Sequence, residues 1–499
     1  MRGTPHRGLI TVAVMLASVL QALDTTIANV ALPHIRGSLS ATLEQMGWVL
    51  TSYIVASAIM TPLSGWLATR VGRKKVLVVS VAGFTIASAL CGMAQSLSQL
   101  VLFRLLQGLC GAALVPLSQA VLLDINPPER HGRATAIWAM GVLVGPIIGP
   151  TLGGWLTDNY TWRWVFYINV PFGILSALGV SSFLHETQSR RTPFDFFGFA
   201  TLSLFIGLLQ IMLDRGPLRD WFGSTEIWLE ALGAALALYL FLVHTLTARH
   251  PFVSLALFRD RNFTLGSLYI FIIGVVLFGC LALLPPLLQD LMGYPVTTTG
   301  FVTAPRGVGA FLTMALVARL MGRVDARLLI GGGLCATALS LWMMCGFSPQ
   351  MDARLVIWSG FLQGIGTGLA YVPLAAVAFA TLGPQYRYEG TAMFNLLRNV
   401  GSSIGIGVMQ ALLTRNTQIM HSSLAAHVSA FGARVLPPYD LATSHGLAAL
   451  NAAVTRQAQM IAYNDDFKLL LLLSLAMLPL VLMLRSGSSR PADATLVAE

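Results

Sequence analysis

Charge is scarce in this chain. Only 10% of its 499 residues are Asp, Glu, Lys or Arg, against about one-quarter in a soluble domain. That excludes a string of ordinary soluble domains, although the length would hold several. Cysteine is scarce too. The five (Cys91, Cys110, Cys280, Cys335 and Cys345) are odd in number, sit inside apolar runs and show no metal-ligand spacing, so they read as small core residues. No G-x-x-x-x-G-K-[ST] phosphate loop is present, which argues against ATP-driven work by this chain alone. No H-E-x-x-H is present either, and the one G-x-S-x-G match, GSSIG at 401–405, lies inside an apolar run rather than at a strand-to-helix turn, which argues against a membrane-embedded hydrolase. The net charge of +10 and pI near 9.7 could suggest nucleic acid. However, the basic residues cluster in short loops rather than in a stripe with interleaved aromatics, so no nucleic-acid partner is expected.

What the chain has in abundance is apolar length. Hydrophobic residues make up 55% of it and the mean hydropathy is +0.72. Runs of about twenty apolar residues, enough to cross a bilayer, recur from end to end. They are continuous rather than alternating, so helices do the spanning. The expectation is an all-α polytopic membrane protein embedded in a lipid bilayer. It has about fourteen spans, near 9–31, 47–67, 76–95, 99–123, 133–156, 164–184, 196–213, 226–246, 264–288, 298–320, 328–347, 355–381, 390–413 and 467–485. The opening "MRGTPHRGLITVAVMLASVL" has the basic-then-apolar look of a signal peptide, but with so many spans behind it, it reads as a retained first helix. With both termini cytoplasmic, about nineteen Lys and Arg fall in cytoplasmic segments and about nine in the opposite loops, the bias the positive-inside rule requires. Arg104, Arg306 and Arg398 lie within spans. Residues 414–466 read as a long exported loop, either plainly solvated or functional.

The sequence repeats itself. "RLLQGLCGAALVPL" (104–117) resembles "GFLQGIGTGLAYVPL" (360–374), pairing Gln107 with Gln363, and the glycines Gly145 and Gly149 are echoed by Gly401 and Gly405. The repeat divides the chain into a six-helix half over 1–190, two inserted helices over 191–250 and a second six-helix half over 251–499. Parallel halves around a midplane cavity are a transporter architecture.

Several residues carry chemistry. Asp24, in "LDTTIANVALP", sits inside an apolar run, where an ionised carboxylate costs on the order of 2.5–3.5 kcal/mol even on the mildest scale. It is either a structural carboxylate satisfied by Thr25, Thr26 or backbone, or a switch that takes up and releases a proton, since burial favours the protonated form. Arg104 cannot discharge itself and must find a partner: Asp24, a helix carbonyl or an anionic substrate group. Asn29, Gln107 and Gln363 are uncharged polar candidates for a substrate cavity. In "GPIIGPTLGG" (145–154), Gly145, Gly149, Gly153 and Gly154 permit close helix packing and Pro146 bends the helix, giving either a packing seam or one that also slides. "GWLATRVGRKK" (65–75), with Gly65, Arg70, Gly72 and Arg73, reads as a topology signal on its own. Trp162 and Trp164 read as an aromatic belt, Asp214 and Asp290 as wet interfacial acids, and Arg306 as an arginine that snorkels to a helix mouth.

Together these motifs resemble the fourteen-helix drug:proton antiporters of the major facilitator superfamily, of the EmrB/QacA type, over nearly the whole chain. "LDTTIANVALP" resembles that group's first-helix motif, "GWLATRVGRKK" the superfamily loop between helices 2 and 3, and "RLLQGLCGA" the helix-4 motif. "GVLVGPIIGPTLGGWL" resembles the antiporter motif of helix 5, and "WRWVFYINVPFG", "LQIMLDRG" and "RQAQMIAYNDDF" are similar to segments of the fourteen-helix group. The resemblance implies the major facilitator fold and multidrug efflux across a bacterial inner membrane, powered by the proton gradient without a cofactor. It implies proton coupling for Asp24 and Arg104, and conformational roles for the loop residues and the glycine seam. It also implies a periplasmic adaptor and an outer-membrane channel as possible partners, with 414–466 as the contact. The superfamily loop commonly carries an aspartate where this chain has Thr69, so no charge-based latch is expected from that position. The alternative reading is export of one dedicated metabolite, such as an amino acid, a sugar or a siderophore.

Overall fold

Continuous apolar runs leave the backbone no partner but itself, and helices account for nearly all of the described residues. The computed structural model describes residues 6–41, 43–127, 130–186, 193–383, 386–427 and 443–484; no β-strand occurs among them. The first half contains α1 (Arg7–Ser38), α2 (Leu43–Val71), α3 (Arg73–Met93), α4 (Leu97–Gly111), α5 (Leu114–Ile125), α6 (His131–Asn159), α7 (Trp164–Tyr167) and α8 (Asn169–Phe183). Two long helices follow, α9 (Phe196–Arg215) and α10 (Thr225–Thr247). The second half contains α11 (Ala256–Arg259), α12 (Arg261–Pro286), α13 (Val296–Leu320), α14 (Ala326–Met344), α15 (Ala353–Ala380), α16 (Arg387–Ala426) and α17 (Ser444–Ala476).

Among the described residues, thirteen helical stretches are long and apolar enough to cross a membrane, α4 and α5 counting as one and α7 and α8 as another. The 29-residue α6 lies between α1 and α13 and completes fourteen. The halves meet where α6 packs on α13 and α2 packs on α16, while α9 and α10 pair with each other and α9 touches α2 and α16.

Glycines set the closest approaches. A Cβ at Gly145 would lie 2.5 Å from the Ala22 carbonyl carbon and 2.6 Å from the Leu23 nitrogen, and one at Gly149 would run into Thr26. The seam therefore joins α6 to α1 within the first half. Its glycines face the stretch of α1 that carries Asp24 rather than the second half. Gly153 continues it, with an added Cβ 2.8 Å from Ile27 Cγ1. Gly154 is half-buried and accepts the Thr157 hydroxyl. Pro146 lies within α6, but its ring is outside the described residues. The second half repeats the seam, Gly401 and Gly405 facing Phe271 and Val275 of α12.

Residues 414–466 are not one long loop. The 40-residue α16 runs on to Ala426 and the 33-residue α17 starts at Ser444. At 1.5 Å per residue α16 is roughly 60 Å long, about twice the hydrocarbon thickness. "TRNTQIMHSSLAAH" and "SHGLAALNAAVTRQAQMIAYNDD" are too polar to read as spans, yet they contain no proline to stop a helix, and the two helices run on through them. His421 and Asn451 hydrogen-bond across the pair at 2.9 Å. The "VLPPYD" segment lies outside the described residues.

Asp195 anchors the insertion. It caps α9 through the Gly198 N–H, accepts the Phe252 N–H and meets His244 at 2.8 Å. Burial pushes its carboxyl up, but the Gly198 N–H, His244 and the Phe252 N–H outweigh it and hold the group below the ordinary carboxylate range. A depressed folded-state value stabilises above the ordinary range, and that stability disappears as pH falls through the folded value. Asp195→Asn keeps a capping side chain but loses the charge that His244 and the Gly198 and Phe252 N–H groups face, and should therefore cost about 1–2 kcal/mol at neutral pH, with the difference from the parent shrinking in acid. Thermal unfolding in detergent across pH 3–7 checks this; a gap that does not narrow in acid would refute it.

Candidate functional site

The charges in the apolar runs find each other. Asp24, on α1, is fully buried and Arg104, on α4, is 1% exposed. Arg104 Nη1 donates to Asp24 Oδ2 at 2.6 Å. Gln107, one turn along α4, donates to Asp24 Oδ1 at 2.9 Å and accepts from Arg104 Nη1 at 2.8 Å. Arg104 Nε donates to the Val49 carbonyl of α2, and its guanidinium lies 4.2 Å from the Tyr53 ring. Two of the three alternatives for Arg104, the acid Asp24 and a helix carbonyl, are thus met at once. A dry pair held on every side is costly to open by removing one member, about 3–5 kcal/mol.

Sequence reasoning missed a fourth member. Asn169, at the start of α8, donates to Asp24 Oδ1 at 2.9 Å and to Ser88 Oγ at 3.0 Å. The signal was there, since an asparagine inside "WRWVFYINVPFG" is a polar group in an apolar run, but the tryptophans drew the aromatic-belt reading. Trp164 is exposed, whereas Trp162 is buried against Phe166. Asn29 is exposed and has no bond to the cluster. Gln363 is buried in the second half, far along the chain from any charge of this group.

A second cluster joins the halves at the end carrying loop 65–75. Asp124, at the foot of α5, accepts Arg73 at 2.8 Å and Arg387 of α16 at 2.9 Å, and the Tyr388 hydroxyl donates to it as well. Beside it, Gly65 lies against the backbone of Tyr388 and Glu389, an added Cβ there falling 3.1 Å from Glu389 Cα. Thr69 turns its hydroxyl back to the Gly65 carbonyl, and the acid of this joint is Asp124. Gly72 has φ +105° and lies against Glu186, leaving no room for a side chain, and Glu186 accepts the Lys74 and Lys75 N–H groups. Arg70 is exposed and stacks on Trp66.

Asp214 is not simply wet. It accepts Thr51 of α2 at 2.7 Å and Gln210, whose own carbonyl accepts Ser403 of α16, so α9 bridges the halves. Asp290 is exposed, as expected. Arg306 does not snorkel; it is 9% exposed and turned inward.

Two bundles of membrane helices built on one repeated plan, with a dry ion pair in one and a charged joint between them, define a secondary transporter. The chain belongs to the Major Facilitator Superfamily, whose family model matches residues 14–406. It is 38% identical to the fatty acid resistance protein FarB of Neisseria gonorrhoeae over 95% of each chain. It is also 38% identical to the multidrug export protein EmrB of Escherichia coli K12, over 92% of this chain and 91% of that one. The fold is similar to that of the human organic anion transporter MFSD10, with TM-score 0.61 at 15% identity, covering 94% of this chain and all of the other.

Proposed function

We propose that this protein exports lipophilic and amphipathic small molecules in exchange for protons, as a multidrug efflux carrier of a bacterial inner membrane. The observation that carries the reading is the fully buried Asp24, whose oxygens are taken by Arg104, Gln107 and Asn169. Such a carboxylate can change protonation only when its partners move, so a proton is exchanged at one stage of the rocking cycle and not at another. The relatives' names support the substrate class, one naming multidrug export and another fatty acid resistance. Ethidium uptake into inverted vesicles tests the reading. An imposed pH gradient, acid inside, should drive accumulation; accumulation indifferent to the gradient would overturn proton coupling.

In this reading both termini are cytoplasmic and the paired ends of α16 and α17 project on the exported side, where they offer a periplasmic adaptor, and through it an outer-membrane channel, a helical face. A reporter active only outside the cytoplasm should work at residue 440 and fail at the C-terminus. Activity at both positions would break the topology.

The Asp124 joint holds the cytoplasmic side shut and must part once per cycle. Asp124→Asn removes the carboxylate that Arg73 and Arg387 share. Export should fall roughly tenfold, the worth of one charge-assisted contact, with insertion retained. Parental export rates from the variant would reduce the joint to packing.

A further inference from the structure

The second half repeats the packing of the first around different chemistry. In the first half, Gly108 of α4 lies on the Tyr53 carbonyl of α2; in the second, Gly364 of α15 lies on the Arg306 carbonyl of α13. Gly145 and Gly149 face Ala22 and Thr26, while Gly401 and Gly405 face Phe271 and Val275. These contacts put Arg306 where Tyr53 stands, Gly360 where Arg104 stands, Gln363 where Gln107 stands and Ile273 where Asp24 stands. The guanidinium has moved to the neighbouring helix, and the carboxylate has become an aliphatic side chain.

The polar groups left behind lack partners. Gln363 is 1% exposed, and neither its amide oxygen nor its nitrogen has a hydrogen bond. It faces a cavity of about 30 Å³ bounded by Ile273, Val276, Leu277 and Thr367, room for one or two water-sized groups. Arg306 Nε is buried without a partner, and Nη2 meets only a thiol, Cys280 Sγ at 3.3 Å. Cys280 is one turn along α12 from Val276, and Gly360, whose added Cβ would lie 3.8 Å from Arg306 Cβ, is one turn along α15 from Gln363. The arginine and the cavity are thus neighbours along both helices. A buried guanidinium stays charged and calls for an anion, and among the described residues no carboxylate bonds this one.

We propose that Arg306 and Gln363 form a subsite for the carboxylate head group of amphipathic acids, the ligand supplying the anion that Asp24 supplies in the first half. Arg306 takes the charged oxygens, Gln363 donates a further bond, and the apolar wall of α12 accepts the adjoining hydrocarbon. The subsite rests on the export reading above.

The test compares two probes in inverted vesicles bearing the full chain: cholate, an amphipathic carboxylate, and ethidium, a lipophilic cation. Arg306→Gln and Gln363→Leu should each lower the cholate-to-ethidium transport ratio by about tenfold or more, and Arg306→Lys should keep most of it. Cys280→Asp should cause the same loss, because a built-in carboxylate would occupy the guanidinium. Ratios within roughly threefold of the parent's would overturn the subsite. If Arg306→Gln does not reach the membrane, Cys280→Asp and Gln363→Leu decide by the same ratio. A parent that accumulates ethidium but not cholate overturns the subsite and leaves the export reading standing; a parent that accumulates neither overturns both.

Discussion

Asp24→Asn should abolish accumulation driven by a pH gradient, bringing the vesicle concentration ratio of ethidium to about one, while the protein still inserts. Asparagine nearly reproduces the carboxylate's shape and can still face Gln107 and Asn169, but it carries neither the charge nor the proton. Arg104 would lose its anion, a loss worth about 3–5 kcal/mol in a dry site, softened by Gln107, the Val49 carbonyl and the Tyr53 face. Stability and coupling can be separated. Asp24→Asn with Arg104→Gln removes the lone buried cation and should recover much of the lost thermal stability, yet transport should stay absent. Asp24→Glu should retain part of the activity because a carboxylate remains. Gradient-driven accumulation at the parental level by the Asn variant would make Asp24 structural.

The second large effect is expected at the glycine seam. Gly149→Leu should stop export in a protein that still reaches the membrane, and Gly145→Ala should already impair it strongly. At Gly145 the obstacle is backbone, with Ala22 and Leu23 atoms 2.5 and 2.6 Å from an added Cβ, so no rotamer change relieves it. Overpacking of this kind costs about 1–3 kcal/mol. The more damaging consequence is displacement of α1, because a shift of about 1 Å in a working group can cost on the order of a hundredfold in rate. Export at parental rates by well-expressed Gly145→Ala would mean that α1 does not need its position.

The fold and the heart of the site were legible because burying charge is costly. Asp24 and Arg104 stood out in runs with almost no other charge, and spacing put Gln107 beside Arg104. Asn169 and Ser88 did not stand out, since an uncharged polar residue in an apolar run is common and only the fold shows where it points. The Asp124 joint was illegible for another reason: Arg387 lies 263 residues away in sequence, and nothing in either local segment names the other. Residues 414–466 misled because hydropathy reports membrane burial, whereas helix formation continued through polar sequence. Arg306 was misread because a cation near a helix end can reach water; its packing beneath Gly360 and against Cys280 shows that this one does not.

Proton release on substrate binding tests the central claim most directly. Ethidium is added to purified protein in weakly buffered detergent solution over a series of starting pH values, and an indicator dye follows the protons. The parent should release close to one proton per ethidium bound through Asp24, and Asp24→Asn should bind ethidium with no release. Equal release from the two proteins would contradict the account and move the coupling group elsewhere.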